Sequence, residues 1–319
     1  MAVYTDIHQN DLEAFLARYS IGLLLSYQGI AEGIENSNFM LHTTKGKFIL
    51  TLYEKRVSKD DLPFFCSLMQ HLSRRGIPCP QPVLQNDGTT FSELAGRPAA
   101  IITFLEGVWV HQPNVCHCSE VGSGLAQLHL AGQDFSLNRR NTLSLVDWKL
   151  VWKNCQTNED TLLKEFGQKI DTELAFLEEN WPSNLPTGII HADLFNDNVF
   201  FLNHRLSGII DFYFACNDFL AYDLAICLNA WCFEHDHSYN LIKAHGLLEN
   251  YQKIRPLVSL ELDAIVLLTR GAALRFLLTR LYDWFNTPPD SFVVKKDPWE
   301  YWHKLCFFSN VSSLSELGF

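Results

Sequence analysis

The chain has 319 residues, a formal net charge of −11, 47% apolar residues and 19% charged residues. This length suits two lobes better than one core, since a domain usually holds roughly 100–200 residues. The acidic balance argues against nucleic acid or an anionic membrane as partner, because both favour a basic protein surface. The polar start of the chain and nine cysteines without a CxxC pair favour a reduced, cytoplasmic protein.

The first third of the chain is predicted to be rich in strands. Apolar residues at helical spacing predict a helix over residues 10–19, and a second helix is expected over 59–75. Short strands are expected at 23–30, 37–43, 48–53 and 99–105. The tight connections between the first three indicate an antiparallel sheet. We place the boundary between the lobes after residue 104, where the last of these strands ends.

The remainder of the chain is predicted to be mainly helical, with helices over 120–131 and 161–179 and from about residue 220 onward. The most apolar stretch, 263–285, is interrupted by three arginines at five-residue intervals, which predicts a buried helix rather than a membrane span. A strand-rich first third followed by a helix-rich remainder indicates an α+β fold in two lobes.

The residues that carry chemistry lie in one segment. A polar loop from His191 to Asn198 stands between two apolar pieces, and a turn and a returning strand lead to Asp211. Because a hairpin brings its two ends together, we expect Asp211 beside Asp193 and Asn198. Phosphoryl transfer needs one carboxylate to accept the proton of the attacking hydroxyl, and oxygen ligands to hold Mg²⁺ on the phosphates. The alternative, a polar loop that merely caps two strands, explains isolated Asp and Asn residues better than it explains the full set.

The spacing His-x-Asp-x-x-x-x-Asn, followed by Ile-Ile-Asp-Phe, resembles the catalytic loop of the aminoglycoside-phosphotransferase-like kinases. The resemblance implies a two-lobed protein-kinase-like fold, with an N-terminal antiparallel sheet and one helix and a larger, mainly helical C-terminal lobe. It also implies that Asp193 is the catalytic base, that His191 braces the loop, and that Asn198 and Asp211 bind the metal.

Within this superfamily, residues 29–39, 48–54, 62–65 and 191–216 resemble the bacterial homoserine kinases. That family phosphorylates the side-chain hydroxyl of L-homoserine with ATP and Mg²⁺, on the route to threonine. The resemblance implies that residues 1–104 bind the nucleotide and that residues 105–319 carry catalysis and the substrate. Phe104 and Glu106 match the hinge, where backbone groups would meet adenine.

The nucleotide lobe departs from the usual pattern of kinase-like folds. Thr51 stands where a strand lysine is expected, and the helix shows Leu62, Phe65 and Leu68 near the position of its glutamate partner. Lys55 and Arg56, just past the strand, are candidates for the replacement cation, with an ordinary surface role as the alternative. Asn36 and Ser37 could contact the phosphates together with backbone N–H groups, and a turn without ligand contact is the alternative there.

An amino-acid substrate needs partners for a carboxylate and an ammonium group. Arg275 and Arg280 are candidates for the carboxylate, because a guanidinium offers a bidentate fork and is costly on an apolar helix unless it has a partner. Tyr213 and Asp218 could face the ammonium group. Pairing of Arg280 with Asp283 along one helix is the structural alternative. For Asp223 we expect a structural role, as a helix cap that also holds the catalytic loop.

Two other functions remain open. The same chemistry could serve an aminoglycoside, choline or methylthioribose kinase. The chain could also be a catalytically inactive nucleotide-binding protein, which the missing lysine and glutamate would favour. The retention of Asp193, Asn198 and Asp211 together argues against inactivity, since a binding module has little use for a base and two metal ligands.

Overall fold

The computed structural model describes residues 5, 7–30, 36–54, 57–156, 161–287 and 295–319. The described residues up to Glu106 form one compact unit, and those from Gly107 onward form a second. Among the described helices, none combines the length and the apolar character that a membrane span requires.

The N-terminal unit is built on a five-stranded antiparallel sheet with the order β1-β2-β3-β5-β4. Its strands are β1 (Leu24–Ile30), β2 (Asn36–Thr43), β3 (Gly46–Tyr53), β4 (Ser92–Leu94) and β5 (Arg97–Thr103). The predicted antiparallel sheet is confirmed, with β4 as an additional three-residue strand. Two described α-helices, α1 (Gln9–Leu16) and α2 (Leu62–Arg74), belong to this unit, where the fold prediction counted one.

Buried side chains alternate with more exposed ones along the strands, and the buried ones form the core of this unit. In β2, Phe39 and Leu41 are buried, and Leu50 and Leu52 of β3 are buried beside them. Helix α1 covers this layer with Leu12, Phe15 and Leu16, the apolar residues whose helical spacing predicted it.

The C-terminal unit is mainly helical, as predicted. Its described helices are α3 (Val115–Ala131), α4 (Leu145–Cys155), α5 (Thr161–Asn180), α6 (Leu220–Trp231), α7 (Leu241–Ile254), α8 (Ser259–Asn286) and α9 (Pro298–Phe308). Two antiparallel strand pairs accompany them: β6 (Thr187–Ile190) with β9 (Cys216–Phe219), and β7 (Val199–Leu202) with β8 (Arg205–Ile209).

Helix α4 was not predicted, and its burial pattern explains why. Trp148, Trp152 and Cys155 are buried, but Val146 and Leu150 on the same helix are exposed. Apolar residues therefore lie on both faces, and no apolar stripe of helical period stands out from the sequence.

Helices α3 and α7 approach each other closely at Gly122. A Cβ atom at this position would lie 2.1 Å from the carbonyl oxygen of Leu247. That oxygen belongs to the backbone of α7, so it cannot move aside without the helix. Glycine at residue 122 is therefore a requirement of the crossing.

We expect Gly122→Ala to lower the free energy of unfolding by about 1–3 kcal/mol, the usual cost of overpacking a filled interior. Urea unfolding followed by circular dichroism measures it. The matched control is Gly167→Ala in α5, where the nearest atom to an added Cβ is 3.8 Å away on Trp152. This control should be neutral or stabilising by up to about 1 kcal/mol, because alanine favours a helix. Equal losses in both variants would contradict the close crossing.

Candidate active site

The hairpin formed by β7 and β8 brings the two ends of the polar segment together. Val199 pairs with Ile209, and the Ile210 amide donates to the carbonyl oxygen of Asn198 at 3.0 Å. Asn198 therefore lies beside the residue that precedes Asp211. Asp211 itself adopts a left-handed conformation, with φ 64°, and begins the short 3₁₀ turn over Phe212–Phe214.

Asn198 also contacts Asp193 within the loop. Its side-chain amide nitrogen donates to the Asp193 carbonyl oxygen at 2.9 Å and lies 3.4 Å from the Asp193 carboxylate oxygen Oδ2. The nitrogen end of the Asn198 amide is thus engaged with Asp193, and the oxygen end is the part suited to a cation. Asp193 is half-buried, whereas Asn198 is buried.

His191 is fully buried and braces the loop through both ring nitrogens. Nδ1 accepts from the Asp193 amide at 3.3 Å, so the proton lies on Nε2, which donates to the Ile210 carbonyl oxygen at 2.9 Å. Burial lowers the pKa of His191, against the opposing effects of Asp223 and the Ile210 carbonyl. A neutral imidazole with both nitrogens bonded to backbone groups has a positional role rather than a role in proton transfer.

The Asp223 carboxylate holds the backbone of the same loop. Its two oxygens accept from the amides of His191, at 2.7 Å, and Ala192, at 2.9 Å. Burial acts to raise the pKa of Asp223, but the hydrogen bonds from His129 and from the His191 amide act against it, and the pKa is lowered. The expected second role, as a helix cap, is not seen: Phe219 is the N-cap residue of α6, and no side chain caps it.

A buried hydrogen-bonded chain extends from Asp223 and was missed by the sequence analysis. The hydroxyl of Tyr251 accepts from Arg255 at 3.0 Å and is hydrogen-bonded to His129 Nδ1 at 2.8 Å. The other ring nitrogen of His129, Nε2, lies 3.2 Å from the Asp223 carboxylate. Arg255 also donates to Glu261 at 2.9 Å. The only sequence signal was His129 in register on a helix.

The predicted substrate residues have different surroundings. Asp218 accepts from the Asn141 side chain at 2.6 Å and from the Phe219 amide at 2.7 Å. Tyr213 lies in the 3₁₀ turn that follows Asp211. Arg280 pairs with Glu300 at 2.6 Å, and Arg275 donates to the Ala192 carbonyl oxygen at 2.6 Å.

The predicted nucleotide residues that the structure describes belong to the N-terminal unit. Asn36 and Ser37 open β2 and are buried, and the Ser37 hydroxyl donates to Glu54 at 2.8 Å. Phe104 and Glu106 follow β5, with the Lys47 ammonium group 5.4 Å from the centre of the Phe104 ring. Lys55 and Arg56, the candidates for the replacement cation, lie outside the described residues, as does the segment 31–35.

The donor set fits Mg²⁺ better than a transition metal. Within the described ranges, no group of three or more His, Cys, Asp or Glu side chains could hold a metal ion. Mg²⁺ does not need such a group, because it is usually bound by one or two carboxylates together with phosphate oxygens and water. The amide oxygen of Asn198 and the carboxylate of Asp211 are hard oxygen donors of that kind.

Comparison with known proteins identifies the family. Residues 26–257 match the model of the phosphotransferase enzyme family, APH. The chain belongs to this family. It is 85% identical to the homoserine kinase of Bartonella henselae over 319 residues, which is the full length of both chains. It is 61% identical to the homoserine kinase of Brucella anthropi over 318 residues, covering 100% of this chain and 98% of that relative.

Solved structures of other kinases have the same fold as this APH family member. A complex of amicoumacin kinase matches with a TM-score of 0.71 at 16% identity, over 94% of this chain and 91% of that one. The microcompartment-associated aminopropanol kinase matches with a TM-score of 0.69 at 15% identity, over 98% and 99%. The predicted family and the two-lobed protein-kinase-like fold are both confirmed.

The ion pairs of Glu300 predict a pH-dependent contribution to stability. Burial acts to raise the pKa of Glu300, but Lys304 and Arg280 outweigh it and lower the pKa to about 2. A lowered folded-state pKa means that the stabilisation is present above the ordinary value of 4.5 and is lost as the pH falls from there toward 2. We expect Glu300→Gln to cost about 1 kcal/mol at pH 7, a modest value because 37% of the side chain is exposed and solvent screens the pairs.

Urea unfolding between pH 7 and pH 3 measures this effect, and the difference from the unaltered chain should shrink below about pH 4.5. The control is Glu249→Gln, which removes an exposed pair with Lys253 on the surface of α7. That variant should change stability much less. A Glu300→Gln effect that stayed constant down to pH 3 would rule out the ion pairs as its cause.

Proposed function

We propose that the chain is an ATP-dependent homoserine kinase, which transfers the γ-phosphoryl group of ATP to the side-chain hydroxyl of L-homoserine and releases O-phospho-L-homoserine and ADP, a step toward threonine. The observation that carries the proposal is the full-length identity of 85% and 61% to two curated homoserine kinases. Membership of the phosphotransferase enzyme family supports the reaction class.

Asp193 is the proposed catalytic base. It is half-buried rather than enclosed, and its backbone is fixed by His191 and Asn198, as a group that must meet a substrate hydroxyl requires. Its task is to orient the homoserine hydroxyl and to accept the proton as the new O–P bond forms. Positioning of this kind supplies much of the rate enhancement in phosphoryl transfer.

Asn198 and Asp211 are the proposed ligands of Mg²⁺. The Ile210–Asn198 hydrogen bond keeps the two residues at neighbouring points of the hairpin, so one cation could take an oxygen from each. Bound Mg²⁺ would neutralise charge on the phosphates. Around that cation, this chain supplies orientation: Asn198 also fixes the Asp193 carbonyl oxygen, which ties the metal ligand to the base.

For the nucleotide we propose contacts with residues 36 and 37 at the start of β2, with Lys55, and with the backbone at Phe104 and Glu106. The Ser37 hydroxyl donates to Glu54, so this hydrogen of Ser37 is not directed at phosphate. For homoserine we propose Tyr213 and Asp218 near the ammonium group and Arg280 for the carboxylate. Arg275 is 1% exposed and donates to a backbone carbonyl oxygen, which argues against a direct substrate contact. A cytoplasmic location belongs to the same proposal.

A coupled assay of ADP release with several acceptors tests the function. L-Homoserine should support turnover, whereas an aminoglycoside, choline and methylthioribose should not. Turnover with another of these acceptors alone would replace homoserine by that substrate. Absence of turnover with all of them, in a chain that still binds ATP, would favour the inactive nucleotide-binding protein.

Asp193→Asn should lower kcat by about 10²–10⁴-fold, the usual contribution of a general base, with little change in the affinity for ATP. Steady-state kinetics and ATP titration measure the two effects. Asp197→Asn is the control, since Asp197 lies in the same loop but is 44% exposed and contacts Lys296 at 3.5 Å. A similar loss in both variants would mean that charge in the loop, rather than a base at residue 193, is what matters.

Asp211→Ala should remove Mg²⁺-dependent turnover, because one of the two proposed metal ligands is lost and the cation is no longer held on the phosphates. Titrating Mg²⁺ at saturating ATP and homoserine measures this effect. The Mg²⁺-dependent binding of a fluorescently labelled ATP analogue provides a readout without turnover. An unchanged Mg²⁺ titration in both measurements would remove Asp211 from the metal site.

A further inference from the structure

Arg275 is a buried cation in contact with the catalytic loop. It lies on α8 and is 1% exposed, and its Nη1 donates to the carbonyl oxygen of Ala192 at 2.6 Å. Its guanidinium carbon is also 4.5 Å from the centre of the Phe276 ring. Ala192 directly precedes Asp193, so this contact reaches the residue next to the proposed base.

The guanidinium is not explained by an ordinary structural ion pair. Of the carboxylates in the described parts of the chain, none forms a salt bridge with Arg275, whereas Arg255, Arg270 and Arg280 each have a glutamate partner. Its Nε is buried and has no hydrogen-bond partner among the described residues. A buried arginine is costly to keep, so the bond to Ala192 is the contact that calls for an explanation.

The nearby tyrosine does not supply a counter-charge. Burial raises the pKa of Tyr222 far above its ordinary value, and the opposing effect of Arg275 does not offset this. Tyr222 therefore contributes a phenol group rather than a negative charge beside Arg275. The Ala192 carbonyl oxygen carries a partial negative charge, and Arg275 donates a hydrogen bond to it.

The peptide groups around Ala192 are in an unfavourable conformation. Ala192 has φ 64°, in the left-handed region that a residue with a Cβ atom seldom adopts. Asp223 accepts from the amide on one side of this residue, and Arg275 donates to the carbonyl oxygen on the other. Two buried charged groups of opposite sign thus hold one residue from its two ends.

We propose that Arg275 is a positioning residue for the reaction: with Asp223 it clamps Ala192 in the left-handed conformation and thereby fixes the direction in which Asp193 leaves the loop. The inference rests on the proposed role of Asp193 as the base. It assigns α8 a part in catalysis through the backbone, without contact to either substrate.

Arg275→Met keeps an unbranched, flexible stem that fills much of the space of the arginine, and it removes the donor and the charge. We expect kcat to fall about 10²-fold, as small misplacements of a catalytic group do, with the KM values for ATP and homoserine close to those of the unaltered chain. Arg275→Lys restores one charged donor and should recover part of the lost kcat. Arg270→Met is the matched control, because Arg270 lies on the same helix but pairs with Glu173. It should change thermal stability without lowering kcat.

A double-mutant cycle with Ala192→Gly separates the clamp from a structural role. Glycine adopts φ 64° without strain, so Arg275→Met should lower kcat less in the Ala192→Gly background than alone. If Arg275→Met is insoluble, Arg275→Lys takes its place in the cycle.

Three results would overturn the proposal: an unchanged kcat for Arg275→Met, an equal kcat loss for Arg270→Met, or strict additivity in the cycle. Failure of the proposed function is distinguishable from these, because the unaltered chain itself would then show no turnover with homoserine.

Discussion

The proposed catalytic loop, residues 191–198, depends on one buried carboxylate. Asp223 is fully buried and accepts from the backbone amides of His191 and Ala192, while His129 lies against one of its oxygens. An ionised carboxylate without partners would be very costly in such a place, so these donors are what allow the charge to remain. The same bonds fix two successive peptide groups just before Asp193. The amides that stabilise the charge of Asp223 are therefore the same groups that fix the backbone of the loop.

The chain of partners behind Asp223 balances charge as well as hydrogen bonds. Arg255, which can only donate, supplies one hydrogen bond to the Tyr251 hydroxyl and one to Glu261. Glu261, which closes the series, lies near the start of α8, and Arg275 lies farther along the same helix. Arg255 is paired with Glu261, whereas Asp223 and Arg275 bind the two ends of the Ala192 backbone. Helix α8 thus contributes to this arrangement at both places.

The sequence predicts what is local and fails where a contact joins distant residues. The polar loop and its hairpin could be predicted because one continuous segment, residues 189–212, contains the strands, the turn and the polar residues. The hydrogen bonds that hold this loop in place could not be predicted. His129 and Asp223 are 94 residues apart, and a lone histidine on a helix has no distinctive spacing. Arg275 was recognised as costly on an apolar helix. Its partner is a backbone carbonyl oxygen, which no residue type identifies, so a substrate carboxylate was predicted instead.

In the N-terminal unit, the absence of a lysine at residue 51 has a related physical explanation. Thr51 is buried on β3, and its hydroxyl donates to the Asn38 side chain directly across on β2, at 2.8 Å. On α2, Leu62, Phe65 and Leu68 are buried as well. A lysine at residue 51 would need a buried carboxylate that these apolar residues do not provide, and a glutamate on α2 would need the lysine. The lysine and its partner have therefore been replaced together by a neutral cross-strand hydrogen bond and apolar packing. The proposed function therefore assigns the charge of the phosphates to Mg²⁺, to backbone N–H groups and to side chains other than residue 51.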